Sequence, residues 1–118
     1  MTDLESVRKF EYRPCRIAAG FDVEFTTGGQ SFQGVCGDVS NAGVRVKFDG
    51  QVAAGSSGLL ILHHPRSVLE LQAHVVYTDQ DHVGLAFEFQ TPWEVEATTE
   101  YIAAISNSKA APVVFRFP

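Results

Sequence analysis

Hydrophobic and polar residues alternate with a period of two through most of this chain, and that alternation predicts its elements before anything else is considered. Phe21, Val23 and Phe25 interleave with Asp22, Glu24 and Thr26, the pattern of a strand with one buried face. Thr27-Gly28-Gly29-Gln30 then reads as a tight hairpin turn, because paired glycines accept the positive φ such turns require. A second strand is predicted over 31–37. The segment 38–43, Asp-Val-Ser-Asn-Ala-Gly, reads as a turn in which Asp, Ser and Asn bond their own backbone and Gly43 supplies left-handed geometry. Val44, Val46 and Phe48 form a third strand, with Arg45 and Lys47 on its opposite face.

After a Gly-Ser loop over 50–58, strands are predicted at 59–63, 67–77 and 83–89. Leu69, Leu71, Ala73, Val75 and Tyr77 share one face, and so do Val83, Leu85, Phe87 and Phe89. Six short strands joined mostly by hairpin-length loops favour an antiparallel barrel or sandwich over any alternation of strands and helices. One helix follows, with Thr91 as its cap, Pro92 in its first position and Glu94 completing a capping box. It is expected to run to about residue 105 and to lay Trp93, Ala97, Tyr101 and Ile105 against the barrel, with Trp93 in the core. The tail over 110–118 contains Val113, Val114, Phe115 and Phe117, and its apolar character fits an edge strand, a cover for the barrel or a partner surface.

Composition narrows the class. The chain has 118 residues and is 45% hydrophobic and 19% charged, enough for one core and too short for two. The reading divides it into a flexible basic segment over 1–16, the barrel and helix over 17–106, and the tail over 107–118. No apolar run approaches the roughly 18 residues that cross a bilayer, and Met1 to Glu5 has two acids where a signal peptide would be basic, so a cytoplasmic protein with no membrane insertion is expected. Cys15 and Cys36 have no paired spacing and are expected to be free thiols. A net charge of −5 argues against general attraction to DNA or RNA. Yet Arg8, Lys9, Arg13 and Arg16, four of the nine basic residues, crowd into one short stretch before the first strand.

Catalytic signals are weak. Gly55-Ser56-Ser57-Gly58 is one residue short of a nucleophile elbow, and neither a Gly-x-x-x-x-Gly-Lys-Ser/Thr loop nor Gly-x-Gly-x-x-Gly occurs. His63, His64, His74 and His82 match no metal-ligand spacing, and Asp79 and Asp81 suit a hairpin tip, so neither a metal nor another cofactor nor an enzyme is expected.

The order of the remaining features is specific: a basic leader, a strand, Asp38-x-Ser40-x-x-Gly43 entering the next strand, a later Val83-Gly84-Leu85-x-Phe87 strand, and a terminal helix. This resembles the PilZ domain family over about residues 8–105. The resemblance implies a six-stranded antiparallel β-barrel with one C-terminal helix, and a ligand, cyclic di-GMP, held by an Arg-x-x-x-Arg motif together with Asp/Asn-x-Ser-x-x-Gly. Asp38, Ser40 and Gly43 fill the second motif, with Asn41 between them. For the first, Lys9 and Arg13 have the right spacing with Lys in the leading place, whereas Arg13 and Arg16 are both arginines but one position too close. Both registers stand.

The implied ligand site is Arg8, Lys9, Arg13, Arg16, Asp38, Ser40, Asn41 and Gly43. An arginine fork can hold phosphate oxygens or the O6/N7 edge of guanine through two parallel bonds, and Asp38 complements guanine's donor edge. The implied function is a receptor that relays the level of this second messenger to a protein partner in motility, exopolysaccharide or biofilm control. The competing expectation is an adaptor of the same fold that docks on protein without binding nucleotide.

Overall fold

The alternating residues do turn inward. In the computed structural model, which describes residues 17–18, 20–107 and 109–116, Val23, Phe25, Val46, Leu60, Leu62, Leu69, Leu71 and Ala73 are each at most 1% exposed. The described residues form eight strands and one helix: β1 (Ile17–Ala18), β2 (Asp22–Thr27), β3 (Gln30–Val39), β4 (Gly43–Phe48), β5 (Ser57–His63), β6 (Val68–Thr78), β7 (Val83–Phe87), α1 (Pro92–Ser106) and β8 (Val114–Phe115). Strands β3, β2, β5, β6, β7 and β4 pair antiparallel in that order, and β4 returns to β3, so the six form a closed barrel. Closure leaves these strands no long open edge.

The β2–β3 hairpin has the expected turn, with Thr27 opposite Gln30 and Gly28 and Gly29 at φ 58° and 81°. β3 continues two residues further than the pattern predicts, so Asp38 and Val39 belong to the ladder and not to the turn. The reason is a bulge. Cys36 pairs with Val46 and Asp38 with Arg45, leaving Gly37 as an inserted residue. Cys36 and Val39 therefore both face the core, and Asp38 is re-aimed outward.

A second bulge has the same effect in the nearby β6–β7 ladder. Val75 pairs with Leu85 and Tyr77 with Gly84, so Val76 is extra. Tyr77, expected on the buried face with Leu69 and Val75, is instead 40% exposed on the outer surface.

α1 is capped by Thr91, whose hydroxyl accepts from Glu94 N at 3.3 Å, while the Glu94 carboxylate accepts from Gln90 N at 2.5 Å. The reciprocal bond thus reaches the residue before the cap. The inward stripe is Glu94, Ala97, Thr98, Tyr101 and Ala104, and the Tyr101 hydroxyl donates to Leu62 O at 3.3 Å. Trp93 is not in the core: it is 70% exposed. It precedes Glu94 by one residue, about 100° round the helix, and the small side chains below Glu94 bring that neighbouring stripe against the barrel.

The tail supplies an edge strand. β8 runs parallel to β6, pairing Val114 with Val68 and Phe115 with Leu69, on the stretch of β6 that lies beyond the pairing of Ala73 with Phe87. Val113 N donates to the buried Ser67 hydroxyl at 2.8 Å, and Val113 and Phe115 pack on the core. No described helix is long and apolar enough to cross a membrane.

Candidate functional site

The two bulges flank one cleft of about 350 Å³ on the outer face of β3, β4, β7 and β6, where Asp38, Arg45, Gly84 and Tyr77 stand in one cross-strand row and Ser40 and Val76 add to the lining. Bulges at such places commonly redirect side chains toward a site. Here they present an acid and an aromatic ring that strict alternation would have buried.

Asp38 and Arg45, opposite one another in the β3–β4 ladder, form an ion pair through Asp38 Oδ2 and Arg45 Nη2. The Asp38 side chain is 16% exposed and that of Arg45 40%. The hydrogen bond to Asp38 raises the Arg45 pKa further above its ordinary value, against partial burial that would lower it, and Tyr77 adds a smaller share. Arg45 is therefore a permanent cation on the cleft wall.

The turn after β3 is held by Ser40. Its hydroxyl accepts from Ala42 N at 3.1 Å and Gly43 N at 3.3 Å, and its own N–H donates to Gly43 O at 2.9 Å. Ser40 is 2% exposed, so its oxygen shapes the turn from beneath. Phe87 N donates to Ala42 O at 3.0 Å and ties the turn to β7. Asn41 is exposed at the tip.

Gly43 lacks the positive φ expected for it; the glycines that have one are Gly20, Gly28, Gly29 and Gly55. It is required for another reason. A Cβ on Gly43 would sit 2.3 Å from Leu85 O, so only glycine lets β4 approach β7 closely enough to close the barrel.

Gly84 forms the floor. A Cβ there would lie 2.2 Å from Tyr77 Cε2 and 2.6 Å from Cζ, which shows that the ring rests flat on the glycine backbone. One face of Tyr77 is thereby covered while the ring borders the cleft.

Arg8, Lys9, Arg13 and Arg16 lie outside the described residues. The leader's point of entry is described: Ile17 pairs with Val39 and Ala18 with Asp38. The chain thus joins the barrel beside the site's own acid.

Sequence reasoning put Tyr77 on the buried face, and it set Arg45 on the outer face, as a cation beside the 38–43 turn, without assigning it to the site. The signal for Arg45 was its alternation with Val44 and Val46; for Tyr77 there was none, because an inserted residue cannot be seen in a period-two pattern.

Cys36 lies just behind Asp38 at 2% exposure, and burial, with the Asp38 charge second, pushes its thiol pKa up to about 12. It is a core residue and not a nucleophile. Asp79 accepts from Asp81 N at 2.8 Å and His82 N at 2.7 Å, and those bonds lower its pKa, as suits a hairpin tip. Among the described residues no three His, Cys, Asp or Glu side chains gather as metal ligands.

A family model described as the PilZ domain matches residues 6–104. The chain belongs to the PilZ domain family. Its fold is similar to the crystal structure of the PilZ domain of CeSA from a cellulose-synthesizing bacterium, at 17% identity and TM-score 0.67 over 78% of this chain and 98% of that one. It is also similar to the Bacillus subtilis inhibitor of motility, MotI/DgrA, at 21% identity and TM-score 0.63 over 80% of this chain and 50% of that one. An uncharacterised Legionella protein aligns at 16% identity and TM-score 0.57 over 80% and 96%. These likenesses are of fold. No curated protein matches the chain.

Proposed function

We propose that this chain is a cytoplasmic receptor for cyclic di-GMP, a binding domain and not a catalyst, which relays the ligand's level to a protein partner. PilZ domains are generally receptors of this kind. The observation that carries the reading is the pairing of Ala18 with Asp38. Arg16 is bonded to Ile17, so their Cα atoms are about 3.8 Å apart, and Arg13 lies within roughly 14 Å of Ile17 along the chain. Chain length therefore allows the guanidiniums of Arg13 and Arg16 to reach the Asp38 cleft, which supports the reading.

The cleft offers what a doubly negative guanine dinucleotide needs. Asp38 accepts from a guanine donor edge, the leader's cations take phosphate or O6/N7, and the ring of Tyr77 gives a base a flat apolar neighbour. Charge-assisted bonds contribute about 1.5–3 kcal/mol each, so three or four reach the roughly 8 kcal/mol of micromolar binding once ordering costs are met. Guanine would have to draw Asp38 away from Arg45, and the freed Arg45 cation would remain beside the phosphates.

Isothermal titration of the full chain with cyclic di-GMP tests this. At about 100 times Kd, binding adds about 2.7 kcal/mol of stability, seen as a rise in Tm. No heat and no rise in Tm would eliminate the reading. The adaptor alternative is favoured by one observation, the exposure of Trp93; the tail no longer speaks for it, since Val113 and Phe115 are packed on the barrel.

A further inference from the structure

α1 turns Glu94, Ala97, Thr98, Tyr101 and Ala104 to the barrel and leaves a different kind of face outside. Trp93 is 70% exposed and Val95 46% exposed, beside exposed Pro92 and a partly buried Phe89, around an open hollow at the start of the helix. So exposed an indole is unusual, and Trp93 is the most exposed of the chain's large apolar side chains among the described residues.

The charge on this face is one-sided. The helix sequence PWEVEATTEYIAAIS contains three glutamates and no lysine or arginine. Glu94 is buried under the cap, which leaves Glu96 and Glu100 exposed. Positions 93, 96, 100 and 103 follow one another at helical spacing, so Trp93, Glu96, Glu100 and Ala103 form one outward stripe. Lysine or arginine partners from the same helix are absent, so these acids are not neutralised by i, i+4 pairs within it.

We infer that this stripe is a docking face for a basic amphipathic segment of a partner protein, with an arginine over Trp93 and further cations on Glu96 and Glu100. Arginine is the side chain that satisfies both halves of the face. Its guanidinium stacks on indole and forks to carboxylates, and its stem lies along apolar surface. An aromatic anchor ringed by complementary charge is also how protein interfaces concentrate their affinity. The inference does not rest on nucleotide binding.

Trp93 is the chain's single tryptophan, so its fluorescence reads this face directly. The full chain is titrated with a synthetic Leu/Arg amphipathic peptide of about 14 residues, roughly four helical turns. The same peptide with each Arg replaced by Glu, and a peptide of residues 1–16 of this chain, serve as comparisons. The expected result is a saturable blue shift of Trp93 with the Arg peptide and none with the Glu peptide. Affinity should fall by roughly tenfold in Glu96→Lys/Glu100→Lys and hold within about twofold in Asp22→Lys/Asp49→Lys, which changes net charge equally at exposed positions away from the helix. Equal losses in both double variants would reduce the effect to general attraction and overturn the proposal, as would an absent Trp93 response or an equal response to the Glu peptide. Dimerisation of the chain with Trp93 buried would assign the face to a second copy, and tighter binding of the 1–16 peptide than of the Arg peptide would assign it to this chain's own basic segment; either would overturn the proposal.

Discussion

The ring of Tyr77 lies across Gly84, its partner in the β6–β7 ladder, so closely that a Cβ on the glycine would stand 2.2 Å from Cε2. An aromatic residue resting on a cross-strand glycine covers backbone that would otherwise lose packing. The arrangement also fixes which side of the ring faces the cleft.

Gly84→Ala should therefore act through Tyr77. The ring must swing away, at a cost of about 1–3 kcal/mol for overpacking. Paired with Tyr77→Ala, the second substitution should cost much less than it does alone, and thermal melts of the four proteins measure that coupling. Tyr77→Ala should weaken cyclic di-GMP binding by roughly tenfold, the worth of one stacked base, with Tyr77→Phe near the parent.

Gly43→Ala should be worse for the fold than Gly84→Ala. The obstructing atom is Leu85 O, a backbone carbonyl in the seam where β4 closes on β7, and it cannot rotate out of the way. A loss of more than about 2 kcal/mol is expected in urea denaturation. An unchanged midpoint would contradict the close approach.

The acid–base pair at the cleft should behave in the opposite manner. Arg45 is 40% exposed, so Arg45→Gln should change stability by less than about 1 kcal/mol. Asp38→Ala and Arg13→Ala should abolish measurable cyclic di-GMP binding while leaving the melting transition cooperative. Titration calorimetry beside a thermal melt separates the two effects.

The two registers of the first motif give different outcomes. If Lys9 occupies the leading place, Lys9→Arg restores a fork and should strengthen binding by roughly tenfold, while Arg16→Ala does little. If Arg13 and Arg16 are the pair, Arg16→Ala is the damaging change and Lys9→Arg is nearly silent.

Alkaline pH should destabilise the barrel. The Cys36 thiol, raised from about 9 to about 12, stays protonated in the folded chain while the unfolded chain ionises. The unfolded state then binds fewer protons, so this contribution is intact below pH 9 and is lost as pH climbs toward 12. Tyr101, also raised by burial, adds to the decline at higher pH. Urea midpoints between pH 8 and 11 should fall, and Cys36→Ala should flatten the first part of the fall. Thiol reagents at pH 8 should leave Cys36 unmodified until the chain is unfolded.

The alternation of Phe21, Val23 and Phe25, the Gly28-Gly29 turn and the Thr91 cap were all legible in the sequence, because each depends on neighbours in the chain. What escaped depends on pairing between distant segments. Gly37 and Val76 look like ordinary strand residues until their partners are known, and only then does it follow that Asp38 and Tyr77 face outward. Gly43 was recognised for the wrong property: a motif glycine suggests unusual φ, whereas the need here comes from Leu85, forty-two positions away. Trp93 misled because its size argued for burial, while the small residues Ala97, Thr98 and Ala104 decided which stripe could nestle against the sheet.

β1 meets the barrel through two residue pairs, and the ring of six strands is already complete without it. β1 is thus an attachment on a finished container. Under the proposed function, its grip could be retuned, by altering Ile17 or Ala18 or by exchanging the residues before them, without reopening any seam of the vessel, and sensitivity to the messenger would then change independently of the durability of the fold.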